Sequence, residues 1–330
     1  MKLKAKFEKL IKEALQLQVT DIHFSFSKKQ VKISLRTLHG FKLLPPDEEA
    51  LGLLNYLKYC ANLDLGNMGK PQSGQFESVI DGRCLYFRFS YLMTLQVESA
   101  VLRILGQQQN LTLEQLSDDR RVQRVFATWT HLRNGLILLS GPTGSGKTTT
   151  LNAILSKIAE NQQLKVISLE DPIEIVNDSY LQLQINEKIN FTYEEGIKQL
   201  LRHDPDVIMI GEVRDENTAK MAYRCALSGH LVFTTIHAKC ASEAIKRLLE
   251  FGLTANELSG TLSAVMNQRL FASKKGKGRI CIYEILDREM LQRAIYGEQI
   301  QHEDIFQLIK KAAEYGNIYK KDAQQEVELE

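Results

Sequence analysis

Apolar positions follow three different patterns along this chain. At the start, Leu3, Phe7, Leu10, Ile11 and Leu15 recur every three or four residues, with lysines around them. This spacing predicts a basic amphipathic helix over residues 1–17. Such a helix packs its stripe on its own domain or lies on an anionic membrane, and the first is expected. The period then drops to two in "DIHFSFSKKQVKISLRTLHG" and "GQFESVIDGRCLYFRFSYLM". These segments predict strands that turn at Lys28 and Lys29, at Gly40, and at Asp81 and Gly82, with a helix over about 48–61 between them. Together they outline a small α/β domain over residues 1–105. "GQQQNLTLEQLSDD", residues 106–119, is polar and opens on a glycine, so it predicts a linker. From residue 120 a third pattern takes over: short, wholly apolar runs at 136–139, 166–169, 207–210, 231–236 and 280–285. Helical stretches separate most of them, as in a mostly parallel sheet covered on both faces, followed by a C-terminal helical region. The last nine residues, DAQQEVELE, predict a polar tail.

Composition narrows the class of protein. The 330 residues suffice for two domains with real cores, and 44% hydrophobic with 25% charged residues is the balance of a soluble globular chain. A net charge of +2 gives no global pull toward nucleic acid or lipid. Five cysteines, odd in number and without a C-x-x-C pair, argue against a disulfide framework or a zinc knuckle and fit a reducing cytoplasm. No apolar run approaches a membrane span, and no signal peptide is visible.

The candidate chemistry begins at "LLSGPTGSGKTTTLNAIL", residues 138–155. Gly141, Gly144, Gly146, Lys147 and Thr148 fit G-x-x-x-x-G-K-[ST], the phosphate-binding P-loop. Glycines accept φ angles that a Cβ forbids, so the loop from Gly141 through Pro142, Thr143 and Ser145 to Thr149 can curl its N–H groups (Pro142 has none) around an anion at a helix N-terminus. Lys147 then reaches the β- and γ-phosphates of ATP, and the Thr148 hydroxyl ligates Mg²⁺. Hydrolysis also needs a carboxylate, and acids at the carboxyl ends of parallel strands are the place to look. "VISLEDPIE" offers Glu170, Asp171 and Glu174, and "DPDVIMIGEVRD" offers Glu212. Gly211 stands where the usual Walker B aspartate would, so the metal is left with Thr148, phosphates and water. Glu212 is the first candidate for orienting the attacking water and Glu170 the second. "GHLVFTTIHA" adds His230 and His237, each able either to sense the γ-phosphate or to rest against backbone; spacing alone leaves both open.

In sequence order these motifs resemble one family, the secretion and type IV pilus ATPases, hexameric motors of the type II secretion superfamily. "GPTGSGKTTTL" resembles its Walker A, "ISLEDPIE" its Asp box, "LLRHDPDVIMIGEVRDENTA" its atypical Walker B, and "GHLVFTTIHA" its His box, with "QRL" at 268–270 following. "TDIHFSF" and "RFSYLMTLQVESAVLRIL" are similar to its second, PAS-like N-terminal domain, so the likeness runs over about 19–285. The resemblance implies a RecA-like ATPase domain whose nucleotide is also contacted by N-terminal-domain arginines. Arg88 and Arg103 match those positions, and Arg214 is a further candidate. It implies a homohexamer working on an inner-membrane platform protein, held peripherally at the cytoplasmic face of the membrane, without direct nucleic-acid binding. Many relatives carry a tetracysteine metal site after "QRL"; here "FASKKGKGRIC" has one cysteine, so no zinc is expected. The short, zinc-free form is most similar to the branch that assembles the competence pilus for DNA uptake. Another type IV pilus or type II secretion system is the alternative, and a RecA-type DNA translocase a more distant one.

Overall fold

The computed structural model describes residues 2–328 apart from 18, 20, 28, 29, 38, 39, 68, 95, 96, 106–110, 163, 187, 188 and 277, and apart from the side chains of Gln30, Asn161 and Gln162. The predicted turn at Lys28 and Lys29 lies outside the described residues, as does the start of the predicted linker. The chain forms two compact units, Met1–Gln109 and Asn110–Glu330.

The first unit runs α1 (Lys2–Gln16), β1 (Asp21–Ser27), β2 (Gln30–Thr37), β3 (Gly40–Leu43), α2 (Ala50–Cys60), β4 (Gln72–Ile80), β5 (Arg83–Met93) and β6 (Glu98–Leu105). Its sheet has the order β3-β2-β1-β6-β5-β4. Phe7 and Ile11 of α1 and Leu53, Leu54 and Leu57 of α2 pack on Ile22, Phe24, Phe87, Phe89 and Leu102 of the sheet. The α1 stripe is therefore buried in its own unit, with Ala14 at its centre and Leu15 at its margin. Some of its lysines are answered locally: Lys6 pairs with Asp47 and Glu49, and Lys12 pairs with Asp81. Asp81 (φ +50°) and Gly82 (φ +77°) form the two-residue turn between β4 and β5, both in the left-handed region that such a hairpin requires. Alternation puts the other residues of each strand on the opposite face. There Arg36, Asp21, Arg103 and Arg88 stand in one cross-strand row, with Arg103 Nε 2.7 Å from Asp21 Oδ1.

In the second unit come α3 (Leu113–Leu116), α4 (Arg120–Trp129), β7 (Gly135–Ser140), α5 (Lys147–Gln162), β8 (Val166–Glu170), β9 (Leu181–Gln184), α6 (Tyr193–Leu201), β10 (Val207–Ile210), α7 (Glu216–Leu227), β11 (Leu231–Ile236), α8 (Ala241–Glu250), α9 (Ala255–Thr261), β12 (Leu262–Ala272), β13 (Arg279–Leu286), α10 (Arg288–Ile295), α11 (Ile305–Glu314) and α12 (Lys320–Val327). The sheet order is β13-β12-β7-β11-β10-β8-β9, every neighbouring pair parallel except β12–β13. Strands β7, β8, β10 and β11 are buried throughout, which is why they read as continuous apolar runs. Side chains of α4 and α5 cover one face, and those of α6 to α10 the other.

Two sequence expectations need correction. The segment 111–119 is not free linker: α3 carries a capping box between Thr112 and Gln115, and Leu113 and Leu116 are buried with Phe126 and Ile154. Two leucines three residues apart suffice to dock a stretch whose average composition is polar. The predicted tail is likewise helix α12 up to Val327, with Ala323 buried among Ile305, Ile309 and Ile318. No helix among the described residues is long and apolar enough to cross a membrane.

Candidate active site

Because β7, β8, β10 and β11 are parallel, the loops after Ser140, Glu170, Ile210 and Ile236 emerge at one end of the sheet. The loop after β7 holds positive φ at Gly141 (+141°), Gly144 (+81°) and Gly146 (+89°), and α5 begins at Lys147. A Cβ at Gly141 would lie 2.5 Å from the Gln268 carbonyl, whereas one at Gly144 meets nothing within 4 Å. Gln268 Nε2 donates to Ser145 O at 2.7 Å. The loop is thus braced from β12 on one side and open on the other. Ser145 Oγ is buried without a hydrogen-bond partner among the described residues. An open-sided ring of N–H donors with a lysine and a hydroxyl at the helix start fits a nucleotide polyphosphate with Mg²⁺.

Several predicted groups converge on one backbone oxygen. Lys147 Nζ donates to Gly141 O at 2.9 Å and to Pro142 O at 3.1 Å. His237 Nδ1 lies 3.2 Å from the same Gly141 O, and its Nε2 lies 3.2 Å from Glu212 Oε1. Both ring nitrogens therefore face acceptors. Glu212 Oε2 takes Arg214 Nε at 2.9 Å, and Arg214 Nη1 reaches Asp171 Oδ2 at 3.6 Å. Burial holds the Lys147 ammonium below its ordinary pKa, while the charges of Glu212 and Glu174 act against that shift. Phosphate oxygens would supply the counter-charge this buried cation otherwise draws from Glu212.

Glu170 sits differently. At the end of β8 it is 5% exposed, and its Oε1 accepts from Ser168 Oγ at 2.6 Å and Gln182 Nε2 at 3.1 Å. Burial pushes its pKa above the usual carboxylate range, against those hydrogen bonds. The segment carrying Asp171 and Glu174 is tied to α5: Asn177 Nδ2 donates to Ser156 Oγ at 2.6 Å, and Asn152 Nδ2 to Tyr180 OH at 3.2 Å.

His230 is not brought to this cluster. It precedes β11, at the opposite end of the sheet, where its Nδ1 lies 3.0 Å from both Cys225 O and Ser228 Oγ. A six-residue strand at ~3.3 Å per residue puts it about 20 Å from His237; it is a histidine satisfied by local backbone. Arg88 and Arg103 belong to the first unit and lie directly opposite each other across β5 and β6. Like charges so placed repel, and an anion would relieve them. Gln182 and Asn267 carried no signal in the sequence, and Gln268 and Arg269 carried only a family triplet. The "QRL" triplet marked the last two, but polar residues inside an apolar run gave no sign of what they touch.

A glycine-rich loop between a central parallel strand and a helix, with carboxylates at neighbouring strand ends, defines a P-loop nucleotide hydrolase of RecA-like architecture. More narrowly, the chain belongs to the type II/IV secretion system protein family, whose model matches residues 2–329. It is 37% identical to competence protein ComGA of Halalkalibacterium halodurans over 96% of each chain, and 33% identical to ComGA of Bacillus subtilis over 93% of each. Its fold superposes on the pilus retraction motor PilT with bound ADP at a TM-score of 0.76 and 28% identity, covering 97% of this chain and 96% of that one. The chain is a P-loop ATPase of the secretion and type IV pilus class.

Proposed function

We propose that this ATPase is the assembly motor of a competence pilus, turning ATP hydrolysis into domain movement against an inner-membrane platform protein, as a homohexamer at the cytoplasmic face of the membrane. The reading draws on the two ComGA relatives aligned over nearly the whole chain. The observation that carries its enzymatic core is the convergence of Lys147 and His237 on Gly141 O, with Glu212 behind His237.

In this reading the loop from Gly141 to Thr149 holds the phosphates, Lys147 lies against the β- and γ-groups, and Thr148 holds Mg²⁺. The metal would supply positive charge that offsets the negative charge of the phosphates. Glu212 keeps Lys147 and His237 aligned, with Arg214 and Asp171 extending the chain of charges. Glu170 is the carboxylate suited to accept the water's proton, since burial raises its pKa toward that of a working general base. This reverses the order the sequence suggested for the two acids: Glu212 already faces a guanidinium and an imidazole, whereas Glu170 meets only neutral donors. Arg88 and Arg103 steady the departing phosphate charge from the first unit.

Phosphate-release assays on three variants test this. Lys147→Ala is expected to abolish turnover. Glu170→Gln should retain ATP binding yet hydrolyse at least a hundredfold more slowly, and Glu212→Gln should lose less. Normal hydrolysis by Glu170→Gln alongside a dead Glu212→Gln would restore the original order. In a transformable host, Lys147→Ala should also abolish DNA uptake; intact transformation would point to another pilus or secretion system.

A further inference from the structure

Three consecutive carbonyls in the turn after β11 each receive a different side-chain donor. Arg247 Nη1, from α8, donates to His237 O; Asn267 Nδ2 donates to Ala238 O at 3.0 Å; Arg269 Nη2 donates to Lys239 O at 2.7 Å. A surface turn has no need of this, because water satisfies exposed carbonyls. Here the backbone that aims His237 is clamped from α8 and β12.

Arg269 has the widest reach of the three donors. It is 5% exposed. Its Nη1 also donates to Asn267 Oδ1 at 2.6 Å, so the second clamp is oriented by the third. Asn267 Nδ2 in turn reaches Ser140 Oγ at 2.8 Å, at the end of the strand that leads into the phosphate loop. A buried guanidinium requires a counter-charge. That charge is Glu326 of α12, whose Oε1 lies 2.5 Å from Arg269 Nε. The last helix therefore supplies the carboxylate that keeps Arg269 in place.

We infer that Arg269 is a positioning residue for ATP hydrolysis and that α12, through Glu326, sets the geometry of the His237 turn and thereby the turnover rate. The inference rests on the proposed function, in which Glu212 keeps Lys147 and His237 aligned at the phosphate loop. Without Glu326 the guanidinium is left as a buried, uncompensated charge. It then swings toward solvent, releasing Lys239 O and the amide of Asn267. The phosphate loop keeps its own donors and the brace from Gln268, so nucleotide affinity survives while the catalytic alignment does not.

The test uses the whole chain and Glu326, whose side chain is 27% exposed. Kinetics are expressed per nucleotide site titrated with a fluorescent ATP analogue. Glu326→Ala is expected to lower kcat about tenfold, with KM for ATP and analogue Kd within twofold of the parent. Glu326→Gln, which keeps an acceptor for Nε but no counter-charge, should recover only part of that loss. Parental kcat in Glu326→Ala overturns the inference, as does a kcat that returns to parental once normalised to folded sites. A Glu326→Gln variant slower than Glu326→Ala also overturns it. Lys147→Ala separates the two layers: if it still hydrolyses ATP, the proposed function fails. If it is dead while Glu326→Ala turns over normally, only the role of α12 fails.

Discussion

Gly141 and Gly144 both hold positive φ, yet a methyl group would meet different surroundings at each. At Gly144 nothing lies within 4 Å of an added Cβ, so Gly144→Ala carries only backbone strain, about 1 kcal/mol. At Gly141 the added atom would also lie 2.5 Å from Gln268 O and 2.7 Å from Ser145 Oγ, so the loop must move off β12. Urea denaturation should show Gly141→Ala losing about 2 kcal/mol or more, and ATP-analogue titration should show it binding much more weakly than Gly144→Ala. Equal effects at the two positions would mean that the brace from Gln268 does not shape the loop. The spacing of these glycines was legible in the sequence, as were Lys147, Glu170, Glu212 and His237. The partner that makes one glycine stricter than the other lies 127 residues further along, and local spacing carries no trace of it.

At the scale of elements, buried parallel strands announced themselves and mixed ones did not. Strands β7, β8, β10 and β11 are apolar from end to end because both faces are covered. Strand β12 escaped notice because Asn267, Gln268 and Arg269 interrupt its apolar run, although all three are buried and hydrogen-bonded. Strand β9 is four residues of alternating Leu and Gln at the sheet edge, too short to signal a strand. A second interior polar contact ties β13 to the start of α8: Glu284 Oε2 accepts from Ala241 N at 2.9 Å, and Oε1 faces His302 Nε2 at 2.8 Å. The Glu284 bond raises the His302 pKa against burial, with the charge of Asp304 acting in the same direction as Glu284. A raised folded-state value means that this contribution is complete below the ordinary 6.5 and fades as pH climbs through the shifted value. Stability measured by urea unfolding should therefore decline from pH 6.5 upward by a component that His302→Gln removes. An unchanged pH slope in that variant would refute the coupling.

For the molecule as a whole, the proposed hexamer predicts a concentration-dependent enzyme. Turnover per chain should rise with protein concentration and then level off, in step with the hexamer fraction seen by analytical ultracentrifugation. A constant specific activity across monomeric and assembled samples would remove the ring from the account. Replacing Arg88 and Arg103 together by alanine should reduce kcat about a hundredfold or more while leaving nucleotide affinity largely intact, the signature of charges that act on the transition state.

Strand order also governs how this chain emerges from the ribosome. β7 lies between β11 and β12, pairing with Leu231 to Ile236 on one side and with residues 262–267 on the other. About 120 residues must be synthesised after Ser140 before both neighbours exist, a wait of roughly 6 to 25 s at usual elongation speeds. Until β11 is made, the hexapeptide GLILLS, fully interior in the finished protein, has no native neighbour on either side, and until β12 is made it still lacks one. Stalled or truncated translation products ending before β12 should therefore depend on chaperones and be prone to aggregate, and slower codons within 231–272 would lengthen that exposure.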